Sequence, residues 1–166
     1  MVLKTSAGDI EMVLFPKEAP KTVENFIKLA RQGFYDGTTF HRVIPGFVSQ
    51  GGDPLSKSLP AGHPRIGTGG PGYNIPDEHG NKLRHLPGAV AMAHSAMPNS
   101  AGSQFYIAHA PIPHLDGGYT IFGHVTKGFE HAVNMAPSDG GGVPTKILKV
   151  LLQFSGREKP APARRK

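Results

Sequence analysis

Apolar positions recur along the chain at two periods, and each change of period marks an element. Ile10, Met12 and Leu14 alternate with Glu11 and Val13, the period of two that a half-buried strand requires. An earlier apolar run precedes Ser6-Ala7-Gly8-Asp9, which has turn composition, so the pattern predicts a hairpin over Val2 to Phe15. Val23, Phe26, Ile27 and Ala30 then fall at i, i+3, i+4 and i+7, the stripe of a helix over Pro20 to Gln32. Proline suits a first helical turn, where its missing N–H costs nothing, and Gly33 provides the stop. Phe34 to Asp53 holds two short apolar strands broken at Pro45-Gly46, a turn-forming pair. Further strands are predicted over Ala89 to His94, Gln104 to His109, Thr120 to Val125 and Ile147 to Phe154. A shorter helical stripe lies at Phe129, Ala132, Val133 and Ala136.

Many short strands with two isolated helices predict a mainly β fold, a closed or nearly closed antiparallel barrel. Periodicity alone leaves barrel against sandwich open. The segment from Pro54 to Leu86 has little periodicity and much Gly and Pro; a loop of that length in a compact domain is usually functional or packed on itself.

Composition narrows the function classes. At 166 residues the chain suits one domain, able to hide roughly 70% of its unfolded surface without staples. It has no cysteine, which excludes disulfides, thiolate zinc sites and thiol catalysis. No apolar stretch approaches the ~18 residues of a membrane span, and the N-terminus lacks the basic-then-apolar pattern of a signal peptide. A cytoplasmic location is the expectation. The net charge is +6, of which Ser155 to Lys166 carries +4. That segment, with Pro160 and Pro162, reads as a disordered basic tail after a folded domain ending at residue 154. Nucleic-acid contact through it is conceivable chemistry, but a solubilising end is the better reading.

Other motifs carry less than they promise. Gly67-Thr68-Gly69-Gly70-Pro71-Gly72 fits G-x-G-x-x-G in form, yet Pro64, Pro71 and Pro76 deny it the flanking strand and helix of a dinucleotide site. It reads as a loop needing unusual backbone angles. The nine histidines are scattered and none stands in H-E-x-x-H, so no metal is expected.

The stretch that organises the chain is Phe40-His41-Arg42-Val43-Ile44-Pro45-Gly46-Phe47-Val48-Ser49-Gln50-Gly51-Gly52-Asp53. If the Pro-Gly break resets the phase of alternation, Arg42, Phe47 and Gln50 face one surface. A guanidinium, an aromatic ring and a carboxamide in one apolar groove suit a ligand that is apolar with one amide, such as a proline-containing peptide.

This stretch closely resembles the cyclophilins, the cyclosporin-binding peptidyl-prolyl cis-trans isomerases. Asn99-Ser100-Ala101-Gly102-Ser103-Gln104-Phe105-Tyr106-Ile107 and Leu115-Asp116-Gly117-Gly118-Tyr119-Thr120-Ile121-Phe122-Gly123 match as well, in the same order, and the likeness runs from about Val2 to Phe154. The resemblance implies a closed eight-stranded antiparallel barrel capped by two α-helices. It implies rotation about Xaa-Pro bonds in peptides and unfolded proteins; that reaction needs no cofactor, and a monomer is the default expectation.

Residue by residue, the resemblance makes Arg42 the catalytic arginine and Gln50 the glutamine that holds the substrate backbone. It makes Phe47, Tyr106 and Leu115 the proline pocket, with Val48 as a wall where methionine is common. Ala93 and His94 match the segment that pairs with the peptide main chain, and Gln104 matches a further groove residue or a structural hydrogen-bonder. Tyr119 stands where many members have histidine, and His114 where cyclosporin-sensitive members have tryptophan. Loss of the large ring and its N–H implies weakened cyclosporin binding. Two other readings compete: a peptide-binding module without turnover, against which Arg42 and Gln50 argue, and a small-ligand barrel, against which the irregular Pro54 to Leu86 segment argues.

Overall fold

The computed structural model describes residues 1–153. The expected basic tail lies outside the described residues. The predicted hairpin forms as β1 (Val2–Thr5) and β2 (Gly8–Leu14), with Ile10 and Met12 buried and Val13 46% exposed, as alternation requires. The first helix, α1 (Pro20–Arg31), begins at its proline, and the chain leaves it through Gly33 at φ +68°. β3 (Arg42–Ile44) and β4 (Val48–Gly51) form a hairpin about Pro45-Gly46, where Gly46 takes φ +76° and Phe47 N–H donates to Ile44 O.

The long Gly/Pro segment starts with a single unpredicted turn of helix, α2 (Leu55–Ser58), and is otherwise irregular. β5 (Ala89–Met92), β6 (Phe105–Ala108), β7 (Ile121–Lys127) and β8 (Ile147–Leu151) complete the sheet, with the short α3 (Phe129–Val133) between the last two. In α3 the predicted stripe is half right: Ala132 is fully buried, but Met135 beyond the helix takes the buried place expected of Ala136.

All ladders are antiparallel, in the order β3-β4-β6-β5-β7-β2-β1-β8. The sheet curls on itself, and its edge strands β3 and β8 are not joined by a ladder. The chain just ahead of each makes the seam instead: Gly37 N–H to Ile147 O, Phe40 N–H to Thr145 O and Ile147 N–H to Thr38 O, at 2.7–2.8 Å, beside the bridge of Thr39 with Lys146. The expectation of a closed barrel was therefore slightly too strong. β3 has only three residues, and Pro144 cannot donate to a longer seam.

The inner face encloses the main core. Phe26 on α1 stacks on Tyr35 at 4.8 Å and meets Phe105 and Phe122 at 5.4 and 5.2 Å, so the helix plugs the curled sheet with an aromatic cluster. The outer face of β4, β6, β5 and β7 carries a second, smaller apolar group of Val48, Tyr106, Ala108, Ala89, Ala91 and Ile121. Alanine at three of these positions keeps that face shallow, which makes room for a groove. Among the described residues, no helix is long and apolar enough to cross a membrane.

Candidate active site

Register places the first two groups. Arg42 pairs directly with Gln50 across the β3–β4 hairpin, and directly paired residues point to one face. Their neighbours Val43 and Ser49 point inward and are fully buried. Arg42, Val48 and Gln50 share the outer face by unbroken alternation, with no reset of phase; Phe47, of the opposite parity, joins them in the cavity lining because it lies in the turn ahead of β4. Arg42 Nη1 donates to Gln50 Oε1 at 3.4 Å.

The hydrogen bonding continues beyond Gln50. Gln50 Nε2 donates to Gln104 Oε1 at 3.2 Å, and Gln104 Nε2 donates to the carbonyls of Gly67 and Gly69, both at 2.9 Å. Both amide protons of Gln104 are thereby committed, so its geometry is that of the structural hydrogen-bonder. The same glycine loop is tied from beneath by Asp53. That fully buried carboxylate accepts from the N–H groups of Gly67, Gly69 (3.1 Å) and Leu55 (2.8 Å). The N–H groups that a phosphate would need are spent on Asp53. Gly67 and Gly72 take φ +104° and +90°, which explains the glycines without a nucleotide.

Arg42, Phe47, Val48 and Gln50 line one side of a cavity of about 320 Å³, and Ala93, His94, Tyr106, Leu115 and Tyr119 line the rest. A depression of about 630 Å³, bordered by the glycine loop and Gln104, adjoins it across Gln50, Ala93 and His94. Of the residues singled out in the sequence, only Gln104 and His114 stand outside the smaller cavity. The exposed His114 ring lies parallel to Phe47 at 6.1 Å, backing the wall rather than lining it. The His94 ring stacks on Tyr119 at 4.3 Å, closing the opposite rim.

Sequence reasoning passed over His85. Its ring is fully buried beneath the cavity, with Nδ1 at 2.8 Å from Asp116 Oδ1 and Nε2 at 2.7 Å from the Tyr106 hydroxyl. The His85 backbone N–H also donates to Asp116 Oδ1 at 2.7 Å. These two bonds, the backbone one foremost, hold the Asp116 carboxyl below its ordinary value. Burial, aided by Tyr119 and Asp116, pushes the Tyr106 hydroxyl well above its own, so it keeps its proton. No sequence signal marks His85, since it sits in aperiodic chain 21 and 31 residues from its partners.

Residues 1–151 match the family model for cyclophilin type peptidyl-prolyl cis-trans isomerases. The chain is 55% identical over 138 residues to peptidyl-prolyl cis-trans isomerase B of Bacillus subtilis, covering 82% of this chain and 90% of that one. It is 42% identical over 151 residues to peptidyl-prolyl cis-trans isomerase ppi1 of Schizosaccharomyces pombe, covering 90% and 94%. Among solved structures, a Cryptosporidium parvum cyclophilin crystallised in the presence of the dipeptide Ala-Pro superimposes with a TM-score of 0.79. It is 32% identical, over 93% of this chain and 98% of that one. Sequence, curled eight-stranded sheet and groove agree, and the chain belongs to the cyclophilin-type peptidyl-prolyl cis-trans isomerases.

Proposed function

We propose that the 320 Å³ cavity takes the pyrrolidine ring of a proline-containing peptide and that Arg42 supplies the catalytic contact. Rotation about an Xaa-Pro bond breaks no covalent bond; its ~18–20 kcal/mol barrier is lost amide resonance. In the twisted state the proline nitrogen becomes pyramidal and regains a lone pair. A donor aimed at that lone pair binds the transition state better than the ground state, which is the condition for catalysis. Arginine remains a charged donor throughout and transfers no proton. The observation that carries the proposal is the alignment of Arg42 by Gln50 at the edge of a pocket walled by Phe47, Val48, Tyr106 and Leu115.

Gln50 has a second role in this reading. With one amide proton on Gln104, it offers the other to the substrate carbonyl beside the scissionless bond. Phe47, Val48, Tyr106 and Leu115 exclude water from the ring, and exclusion strengthens the arginine's contact. The Ala93 N–H is committed to Gln104 O, so main-chain pairing with the peptide falls to its carbonyl and to His94. The adjoining larger depression receives the chain leading into the proline.

The reading extends to unfolded proteins as substrates, to a monomer acting in the cytoplasm, and to cyclosporin binding weakened by His114 and Val48. One sample tests its core. A single Xaa-Pro peptide is titrated into the protein, and cis–trans exchange is followed by NMR on the same mixture. Saturable binding with accelerated exchange is expected. Binding without acceleration would make the groove a peptide-recognition surface instead.

A further inference from the structure

The Asp116–His85–Tyr106 series runs from the half-buried Asp116 through the buried His85 to the buried Tyr106 in the cavity lining, and its hydrogen bonds have one consistent set of directions when the ring is neutral. An ionised carboxylate only accepts, so His85 Nδ1 must carry the proton given to Asp116. Nε2 of that tautomer has only a lone pair, so the Tyr106 hydroxyl must donate to it at 2.7 Å. The His85 and Tyr106 ring planes lie within 9° of parallel, with centroids 5.8 Å apart. The Tyr106 proton is therefore turned away from the pocket.

We propose that His85 is a positioning residue for this enzyme: it draws the Tyr106 hydroxyl proton out of the pocket and ties the pocket's floor to the turn that carries Leu115. The proposal rests on the reading of the 320 Å³ cavity as the proline site. Tyr106 belongs to β6, where it pairs with Gln50 on one side and Ala91 on the other. Asp116 follows Leu115 at the end of the Pro113–Leu115 turn. His85 is the only group that contacts both through polar atoms among the described residues, so it fixes floor against wall.

The physical need is specific to a tyrosine. A phenylalanine floor would be apolar without help. A tyrosine hydroxyl with no partner beneath it must either stay unsatisfied or turn its dipole toward the substrate's apolar ring, and either state is costly in a water-poor site. His85 supplies the partner and leaves the substrate only the ring face. Tyr119, edge-on to both Tyr106 and His85, covers this arrangement from the solvent side.

Two measurements test it. Long-range proton–nitrogen NMR of the native protein labelled at histidine should show His85 protonated at Nδ1 and bare at Nε2, with a slowly exchanging Tyr106 hydroxyl proton. A protonated Nε2 overturns the proposal whether or not any variant folds. The second is a rescue. His85→Leu should raise KM for an Xaa-Pro peptide about tenfold, the scale of an unsatisfied buried hydroxyl, with kcat little changed. Adding Tyr106→Phe should then bring KM back to within about threefold of native, because the stranded hydroxyl is gone. A folded double variant with no recovery shows that His85 acts only as packing, which overturns the proposal while native turnover stands. Native protein that turns over no Xaa-Pro peptide would instead overturn the reading of the cavity, and the role of His85 with it.

Discussion

Arg42 and Gln50 stand directly opposite each other across a three-pair hairpin, and the guanidinium reaches the Gln50 carbonyl oxygen at 3.4 Å. The arginine's side chain is on an exposed strand end, so it has no buried partner to fix it. Gln50, in turn, is fixed by Gln104. Replacing Gln50 with alanine should therefore reduce kcat/KM about tenfold, the value of one hydrogen bond to a charged group, and leave thermal stability nearly unchanged. Steady-state kinetics beside a melting curve checks this.

Asp53 anchors the glycine loop on which Gln104 rests. As asparagine, it would lose an acceptor oxygen and turn an N–H₂ group toward backbone donors. Asp53→Asn is expected to cost about 3 kcal/mol, the upper range for a buried bond to a charged group. Urea unfolding midpoints measure it. A loss below about 1 kcal/mol would mean that the loop is held mainly by Gln104.

Stability should fall on acidification through His109. The Ser49 hydroxyl gives its one proton to Ala132 O at 2.8 Å, so His109 Nε2 must donate to Ser49 Oγ at 2.7 Å. Nδ1 is buried without a hydrogen-bond partner. Burial lowers the ring's pKa, and the Ala132 carbonyl offsets only part of that. The folded state therefore keeps the ring neutral at a pH where the unfolded chain, titrating near ~6.5, has taken up a proton. The stabilisation is complete above that value and is lost as pH falls from about 6.5 toward the depressed folded pKa. His41, whose pKa burial also lowers, acts in the same direction. Urea midpoints at pH 7.5 and pH 5 should differ in the native protein, and the difference should shrink in His109→Gln.

His114 backs Phe47 with a small ring. His114→Trp should raise cyclosporin affinity about tenfold, since indole adds both area and an N–H donor. Calorimetric titration of both proteins gives the answer; equal affinities would point to Val48 as the deficient wall.

Local pattern disclosed the elements far better than it disclosed the site's wiring. The α1 stripe and the Ile10/Met12 alternation are short-range signals, and each reappears as burial. The meeting of Phe47 with Arg42 and Gln50 was legible only as a condition, because Phe47 has the opposite parity and reaches their face from the turn ahead of β4. The seam between β3 and β8 is set by Pro144 and a three-residue strand more than a hundred positions away, so closure was overestimated. Asp53, Gln104 and His85 do their work across 14 to 37 residues of aperiodic chain, where neither period nor composition indicates a partner. The resemblance carried the identities of the groove residues, and the fold brought all but Gln104 and His114 around one cavity.

The central claim is that Arg42 stabilises the twisted amide. Its most direct test is the cis-to-trans rate of one Xaa-Pro peptide with native protein and with Arg42→Ala, alongside the peptide's Kd for each. The account predicts a ten- to hundredfold loss of kcat/KM, from roughly 1.5–3 kcal/mol of charge-assisted contact, with an intact fold and a Kd changed by less than about threefold. A folded Arg42→Ala protein that keeps the native rate, or whose rate falls only as far as its peptide binding does, would contradict it.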